Sequence, residues 1–234
     1  MCLLTHPLYS PAAHNLPDFF LCLLKTFTGA AFKKQYFFMF RYYIFYKPFQ
    51  VLSQFSPEGD KKTLKDYFEH IPKNIYPVGR LDFDSEGLLL LTDDRSITHH
   101  LLDPSFAHPR TYWVQVENTI TKKAIQQLEQ GVTISVNGKP YKTKKASAKI
   151  LKEGPQLVER NPPVRFRKNI PTSWIALTLT EGKNRQVRKM TAATGYPTLR
   201  LVRCAIGELT LDGLEPGKYK TVDGKTIKSI LNDK

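Results

Sequence analysis

Tyr76-Pro77-Val78-Gly79-Arg80-Leu81-Asp82-Phe83-Asp84-Ser85-Glu86-Gly87 runs directly into Leu88-Leu89-Leu90-Leu91-Thr92-Asp93-Asp94. An unbroken apolar run bounded by turn-forming residues marks a strand buried on both faces. Ahead of it, Arg80, Asp82 and Asp84 fall within five positions. A loop so placed is fixed to rigid core, which is how a protein holds a reactive carboxylate still. The same residue types also make an ordinary charged turn, because Asp and Gly satisfy turn backbones. Spacing taken alone favours the turn.

Working outward, Tyr42-Tyr43-Ile44-Phe45-Tyr46 has strong strand propensity and stops at Lys47-Pro48. Val51 to Phe55 is expected as a second short strand, and Thr63 to Phe68 as a short helix ending near Pro72. Beyond the leucines, Ser96 to Leu102 reads as one or two helical turns. Thr111-Tyr112-Trp113-Val114-Gln115-Val116-Glu117 alternates like a half-buried strand. Thr121 caps a helix with apolar positions Ala124, Ile125 and Leu128, and Gly131 stops it. Strands around Val132–Val136 and Ala146–Leu151 are expected to be joined through the Asn137-Gly138 turn. Residues 152–173 read as an extended surface loop and Trp174 to Thr180 as a strand. Asn184 to Thr194 reads as a basic helix stopped by Gly195, and Leu199 to Leu211 returns to strand character. Many strands with a few helices between them predict an α+β domain around a mixed or antiparallel sheet.

The chain has 234 residues and a net charge of +14, which concerns partners rather than fold: such an excess attracts polyanions. Cys2, Cys22 and Cys204 are too few and too scattered for a disulfide framework or a zinc site, and a cytoplasmic setting fits them. Residues 1–40 hold half of the phenylalanines but neither a helical nor a strand period. Their run Phe19 to Leu24 is too short to span a bilayer, and the segment before it lacks Lys and Arg, unlike a signal peptide. Met39 is a candidate natural start, making residues 1–38 an upstream extension.

From Glu159 to Arg203 there are ten Lys or Arg residues against Glu159 and Glu181. A patch this dense implies salt-dependent nucleic-acid binding. Arg165-Phe166-Arg167, followed by Lys168, sets an aromatic among cations, suiting an unstacked base beside its phosphates. A membrane surface is disfavoured because no amphipathic helix pairs this charge with an exposed apolar stripe.

These residues resemble a family. Gly79 to Thr92 is similar to the active-site motif of pseudouridine synthases that modify ribosomal RNA. Tyr46-Lys47-Pro48, Tyr112-Trp113-Val114 and Glu181-Gly182-Lys183-Asn184-Arg185-Gln186-Val187-Arg188-Lys189-Met190 follow the same family in order. Leu201-Val202-Arg203, Ile206-Gly207 and Leu211-Asp212-Gly213-Leu214 extend the likeness. It covers roughly Arg41 to Val222. Asn161-Pro162-Pro163-Val164-Arg165 and Ile170-Pro171-Thr172-Ser173-Trp174 point to a branch acting on the large subunit. The resemblance implies an α+β pseudouridine synthase fold, a mixed, mostly antiparallel central sheet in two subdomains flanked by helices. It implies a catalytic domain over residues 41–225 and a tail over 226–234. Many members of the family carry a small RNA-binding module ahead of that domain, and residues 1–40, neither basic nor patterned, do not resemble one.

The implied reaction detaches the base of a uridine already in RNA at N1, rotates it and rejoins it through C5, without metal or cofactor. Cleaving a glycosidic bond in that way needs a carboxylate beside the sugar, as nucleophile or as base. The resemblance assigns this to Asp82 and leaves attack at C1′ or loss of a sugar proton open. It implies that Arg188 pairs with Asp82, with Arg185 as the fallback, keeping the carboxylate ionised. Arg80 is implied to help extrude the base. Tyr112 is implied to stack on the base and help remove the C5 proton. Lys47 with Pro48 is implied to shape the pocket floor, and Leu201 to pack against the base. Arg165, Arg167, Lys168, Arg185 and Arg203 are the remaining expected RNA contacts. Asp84 and Asp93 are read as turn caps, and His99, His100 and His108 as surface or packing residues. The expected partner is large-subunit rRNA or a ribosome assembly intermediate, met by a monomer away from any membrane. The rival readings are a non-catalytic RNA-binding assembly factor, the same chemistry on small-subunit rRNA or tRNA, and a glycosidase acting on free nucleosides.

Overall fold

A computed structural model describes residues 40–231, apart from Phe166. The expectations for residues 1–38, for Met39 as a start and for Phe166 as a stacking aromatic lie outside the described residues.

The leucine run is strand β3 (Glu86–Thr92), and all seven of its residues are buried. It pairs antiparallel with β1 (Tyr42–Lys47) and with the short β2 (Tyr76–Pro77). Leu88 and Leu90 pack on one face with Tyr42, Ile44 and Val202. Leu89 and Leu91 pack on the other with Phe45, Leu64 and Phe68. Two buried faces explain why the run does not alternate.

Helix α1 (Arg95–Leu102) follows, capped by the Asp94 carboxylate, which accepts from the Ser96 and Ile97 amides at 2.9 and 3.3 Å. Strand β4 (Arg110–Glu117) leads to α2 (Lys122–Gln130), which Thr121 caps at its start and Gly131 (φ 83°) closes. Strands β5 (Thr133–Val136) and β6 (Lys139–Lys142) form a separate hairpin across Asn137-Gly138. The expected partner of β5 was the strand at Ala146–Leu151. That segment is β7 (Ser147–Leu151), and it pairs instead with β8 (Thr172–Leu179) at the edge of the main sheet. Strand β6 contains Pro140, a residue disfavoured in sheet interiors and tolerated here at an exposed two-stranded edge. Helix α3 (Gln186–Ala193), strand β9 (Thr198–Ile206) and the short β10 (Leu209–Thr210) follow. Strand β11 (Tyr219–Val222) and helix α4 (Gly224–Leu231) close the chain. The expected tail is therefore largely helical, and Ile227 and Ile230 bury its apolar face in the core.

The main sheet runs β11-β1-β3-β9-β4-β8-β7, with β2 added on β3 and β10 on β9. Every pairing is antiparallel except β3 with β9, a short parallel seam at Glu86↔Val202 and Gly87↔Arg203. Helices α1 and α4 cover one face. On the opposite face, α2 and α3 cover β4, β8 and β9, while the 3-10 turn Leu64–Tyr67 covers β1 and β3. The two covered patches of this second face flank the seam.

Val51 to Phe55 is not a strand. Its backbone makes a single bridge, Val51↔Lys62, and the segment works as a clamp on the loop of Asp82.

Candidate active site

A cleft of about 720 Å³ includes Arg80, Asp82, Tyr112, Arg185, Leu201 and Arg203 in its wall. The loop bearing Asp82 is pinned by residues 50–55. Ser53 Oγ accepts from the Leu81 amide at 3.0 Å and donates to the Leu81 carbonyl at 2.9 Å, while the Gln50 amide donates to Phe83 O at 2.9 Å. The Ser85 amide closes the turn onto Asp82 O at 3.0 Å. Leu81 is buried, so Asp82 leaves the core at a fixed point.

The sheet register continues the site. Lys47 pairs with Gly87, Gly87 with Arg203, and Arg203 with Tyr112, forming one row across four strands. Paired residues share a face, and residues two apart on a strand share it too, so Leu201 and Arg203 point with Tyr112 into the cleft. Gly87 is required in this row. It has φ 115°, and a Cβ there would meet Arg203 O at 2.3 Å.

Asp84 is the centre of the charge pairing. Arg185 donates to both of its carboxylate oxygens at 2.7 Å, and Arg188 Nε lies 3.3 Å from Oδ2 while its Nη2 donates to Asp84 O at 2.6 Å. Burial pulls the Asp84 pKa up, but the Arg185 bonds and the Arg188 and Arg185 charges outweigh it and hold the carboxyl below its usual range. This corrects the reading of Asp84 as a turn cap. It also corrects the expected Arg188–Asp82 pair: Arg188 is bound to Asp84, and the ion pair to Asp82 comes from Arg185 Nη1, at 3.8 Å from Oδ2. Arg185 and Arg188 are three residues apart, so both reach one acid. Arg185 is also the N-cap of α3 in the left-handed region (φ 52°, ψ 34°), a conformation that costs a non-glycine residue about 1 kcal/mol or more. Its two bonds to Asp84 hold it there.

The turn leading into α3 is braced from the hairpin. Buried Glu181 accepts from Tyr141 Oη at 2.5 Å, from the Lys144 amide at 2.8 Å and from Gln186 Nε2 at 2.7 Å. The hairpin and the residues just after it carry exposed Lys139, Lys142, Lys144 and Lys145, and the Lys183 ammonium lies over the Tyr141 ring at 5.0 Å. Sequence reading passed over these lysines because they lie outside the dense basic stretch. The only signal for them was a lysine-rich turn.

The other expected residues sit as follows. Arg80 is exposed at the cleft, Tyr112 is half-buried in its wall and Leu201 is buried there. Lys47 is fully buried, with Nζ donating to Pro48 O at 2.9 Å and Val51 O at 2.8 Å, so it supports the floor from beneath and does not line it. Arg165, Arg167 and Lys168 are not brought to Asp82: they border a second cavity of about 460 Å³ with Gln115 and Glu117. Those two residues alternate with Tyr112 along β4, so this cavity opens on the opposite face of the sheet. Asp93 accepts from the Arg41 amide and Asn74, and His100 stacks on Phe106 with its Nδ1 2.9 Å from His108 Nε2.

Residues 41–193 match the model of a family described as RNA pseudouridylate synthase. The chain is 48% identical over 180 residues to the ribosomal large subunit pseudouridine synthase E of Vibrio parahaemolyticus, covering 76% of this chain and 72% of that protein. Identity to the protein of the same name from Xanthomonas axonopodis pv. citri is 51% over 172 residues, covering 73% and 87%. It is 34% over 189 residues to ribosomal large subunit pseudouridine synthase B of Bacillus subtilis, covering 81% and 70%. Among solved structures, a crystal structure of a pseudouridylate synthase superposes with TM-score 0.66 at 27% identity, covering 82% of this chain and 74% of that one.

Proposed function

The chain belongs to the RNA pseudouridylate synthase family, and on that premise we propose that it isomerises a specific uridine of large-subunit rRNA to pseudouridine. The observation that carries the reading is Asp82, held at a fixed point in the wall of the cleft with an arginine at 3.8 Å. A carboxylate beside the sugar can act on C1′ as a nucleophile or on a sugar proton as a base. Either route expels the base, which turns and rejoins through C5. Arg185 keeps Asp82 paired, Arg188 secures the loop through Asp84, and Arg80 at the exposed rim occupies the space of the extruded nucleotide. Tyr112 and Leu201 enclose the base, and Tyr112 assists removal of the C5 proton. Arg165, Arg167 and Lys168 hold RNA away from the reacting centre.

We assign the reaction to a monomer in the cytoplasm, acting on rRNA or an assembly intermediate. Among the described residues no helix is long and apolar enough to cross a membrane. The test is Asp82→Asn, which conserves shape and removes the charge. Pseudouridine formation in large-subunit rRNA is expected to fall below detection while RNA affinity stays within a few-fold. Unchanged turnover of this variant would remove Asp82 from the chemistry. Pseudouridine mapping of rRNA from a strain lacking the protein should show one large-subunit position lost, whereas a loss in tRNA or the small subunit overturns the substrate.

A further inference from the structure

Arg203 is 4% exposed, lines the cleft and neighbours Tyr112 in the sheet row. Its Nε donates to Leu88 O at 2.8 Å, which fixes the plane of the guanidinium, while its buried Nη2 meets no acceptor. Among the described residues no carboxylate forms an ion pair with it: Asp82 and Asp84 are engaged by Arg185 and Arg188, and Glu86 by Arg200. Burial lowers its pKa, against the opposing influence of the Tyr112 hydroxyl. A buried donor without an acceptor is destabilising, and a buried cation without a counter-ion more so. Such a group calls for a specific explanation, and a cleft wall supplies one: the acceptor arrives with the ligand.

The row geometry says which part of the ligand arrives there. Tyr112 and Leu201 share the face of Arg203, so a base held between them presents its edge to the guanidinium. Uracil carries two carbonyl oxygens on its edges. When the C1′–N1 bond breaks, its electron pair leaves with the base, and the negative charge spreads over N1, O2 and O4. A fixed cationic donor at a carbonyl is therefore worth more as the bond breaks than before, which is the condition for accelerating the step.

We propose that Arg203 is a catalytic residue that donates through Nη2 to a carbonyl oxygen of the target uracil and stabilises the uracil anion as it leaves C1′. The inference rests on the reading of this cleft as the isomerisation site. The step balances by either route. Asp82 bonds to C1′ or takes the C2′ proton, and the C1′–N1 pair passes to the base. As C5 bonds to C1′ the Asp82–C1′ bond breaks or C2′ regains the proton, after which C5 loses its proton and N1 gains one.

The test measures single-turnover rates of the full chain on a large-subunit rRNA transcript made with uridine or with 5-fluorouridine. Fluorine withdraws electrons and stabilises the departing anion, so it lessens the need for Arg203. On uridine RNA, Arg203→Met is expected to slow conversion by on the order of 10²-fold or more, with KM changed only a few-fold. On 5-fluorouridine RNA, base detachment, read by nucleoside mass spectrometry, should show a penalty at least about ten-fold smaller. An unchanged rate, a loss confined to KM, or an equal penalty on both transcripts overturns the proposal. If Arg203→Met fails to fold by thermal melting, Arg203→Lys carries the same comparison, because it keeps a charge and loses the fork geometry. Absence of pseudouridine with the unaltered protein would instead overturn the proposed function.

Discussion

The Lys47 ammonium is fully buried, and burial pushes its pKa down to about 7 although Glu86, Asp82 and Asp84 pull it back up. Two carbonyls accept from it. Its folded pKa lies below the ordinary 10.5, so its contribution to stability is complete above about 10.5 and is lost as pH falls through about 7. Between those values the unfolded chain holds a proton that the folded chain does not. Stability should therefore rise with pH in that window, by up to roughly 1.4 kcal/mol per pH unit from this group. Urea unfolding at pH 7 and pH 9 checks it: the difference between wild type and Lys47→Met should grow with pH. Parallel pH slopes would remove Lys47 as the source.

At the seam between β3 and β9, the backbones approach so closely that one side chain must be absent. A Cβ on Gly87 would lie 2.3 Å from Arg203 O and 2.5 Å from Arg203 N, and neither backbone atom can move without parting the sheet. Gly87→Ala should therefore lose at least about 3 kcal/mol, combining overpacking with a left-handed φ. Gly213→Ala is the control. It also has a positive φ (68°) but meets no atom within 4 Å, so it should lose about 1 kcal/mol. Equal losses in denaturant titration would mean that φ, and not the close approach, dictates glycine at the seam. The adjoining Glu86–Arg200 ion pair, at 2.8 Å and nearly inaccessible to solvent, bridges the same two strands. Together they fix the distance between the loop of Asp82 and the strand of Arg203.

Taken over the molecule, the charge of +14 is spread in a way that couples function to ionic strength. Arg165, Arg167 and Lys168 lie on the face opposite the cleft, so RNA that touches both must wrap an edge of the sheet. Arg167 is shared with Glu117 at 2.5 Å, whereas Lys168 forms no ion pair among the described residues. RNA affinity should fall steeply with salt, and Lys168→Ala should reduce the log–log slope by about one. Its single-turnover rate at saturating RNA should stay close to wild type. An unaltered slope would exclude a phosphate contact at Lys168.

The leucine run and the helix cap at Thr121 were legible in the chain because they depend on neighbours a few residues away, whereas the cap at Asp94 was seen only in the structure. The Val51–Phe55 clamp was not, since its apolar residues match a strand and only the distant Leu81 and Lys62 assign their backbone partners. The same holds for β6, where Pro140 argues against a strand that only a two-stranded edge can accept. For the candidate site, sequence picked out Asp82, Arg80, Tyr112, Leu201 and Arg203, which meet in one cleft. It paired Arg188 with the wrong acid, because the choice between Asp82 and Asp84 depends on which carboxylate the left-handed turn at Arg185 brings within 3 Å. Local pattern thus determined which strand would anchor the site, and the family resemblance carried in the motifs named the residues expected to do its chemistry. Tertiary structure decided their partners, because charge pairing falls off over a few ångströms and Asp84 and Arg185, far apart in sequence, come that close only in the fold.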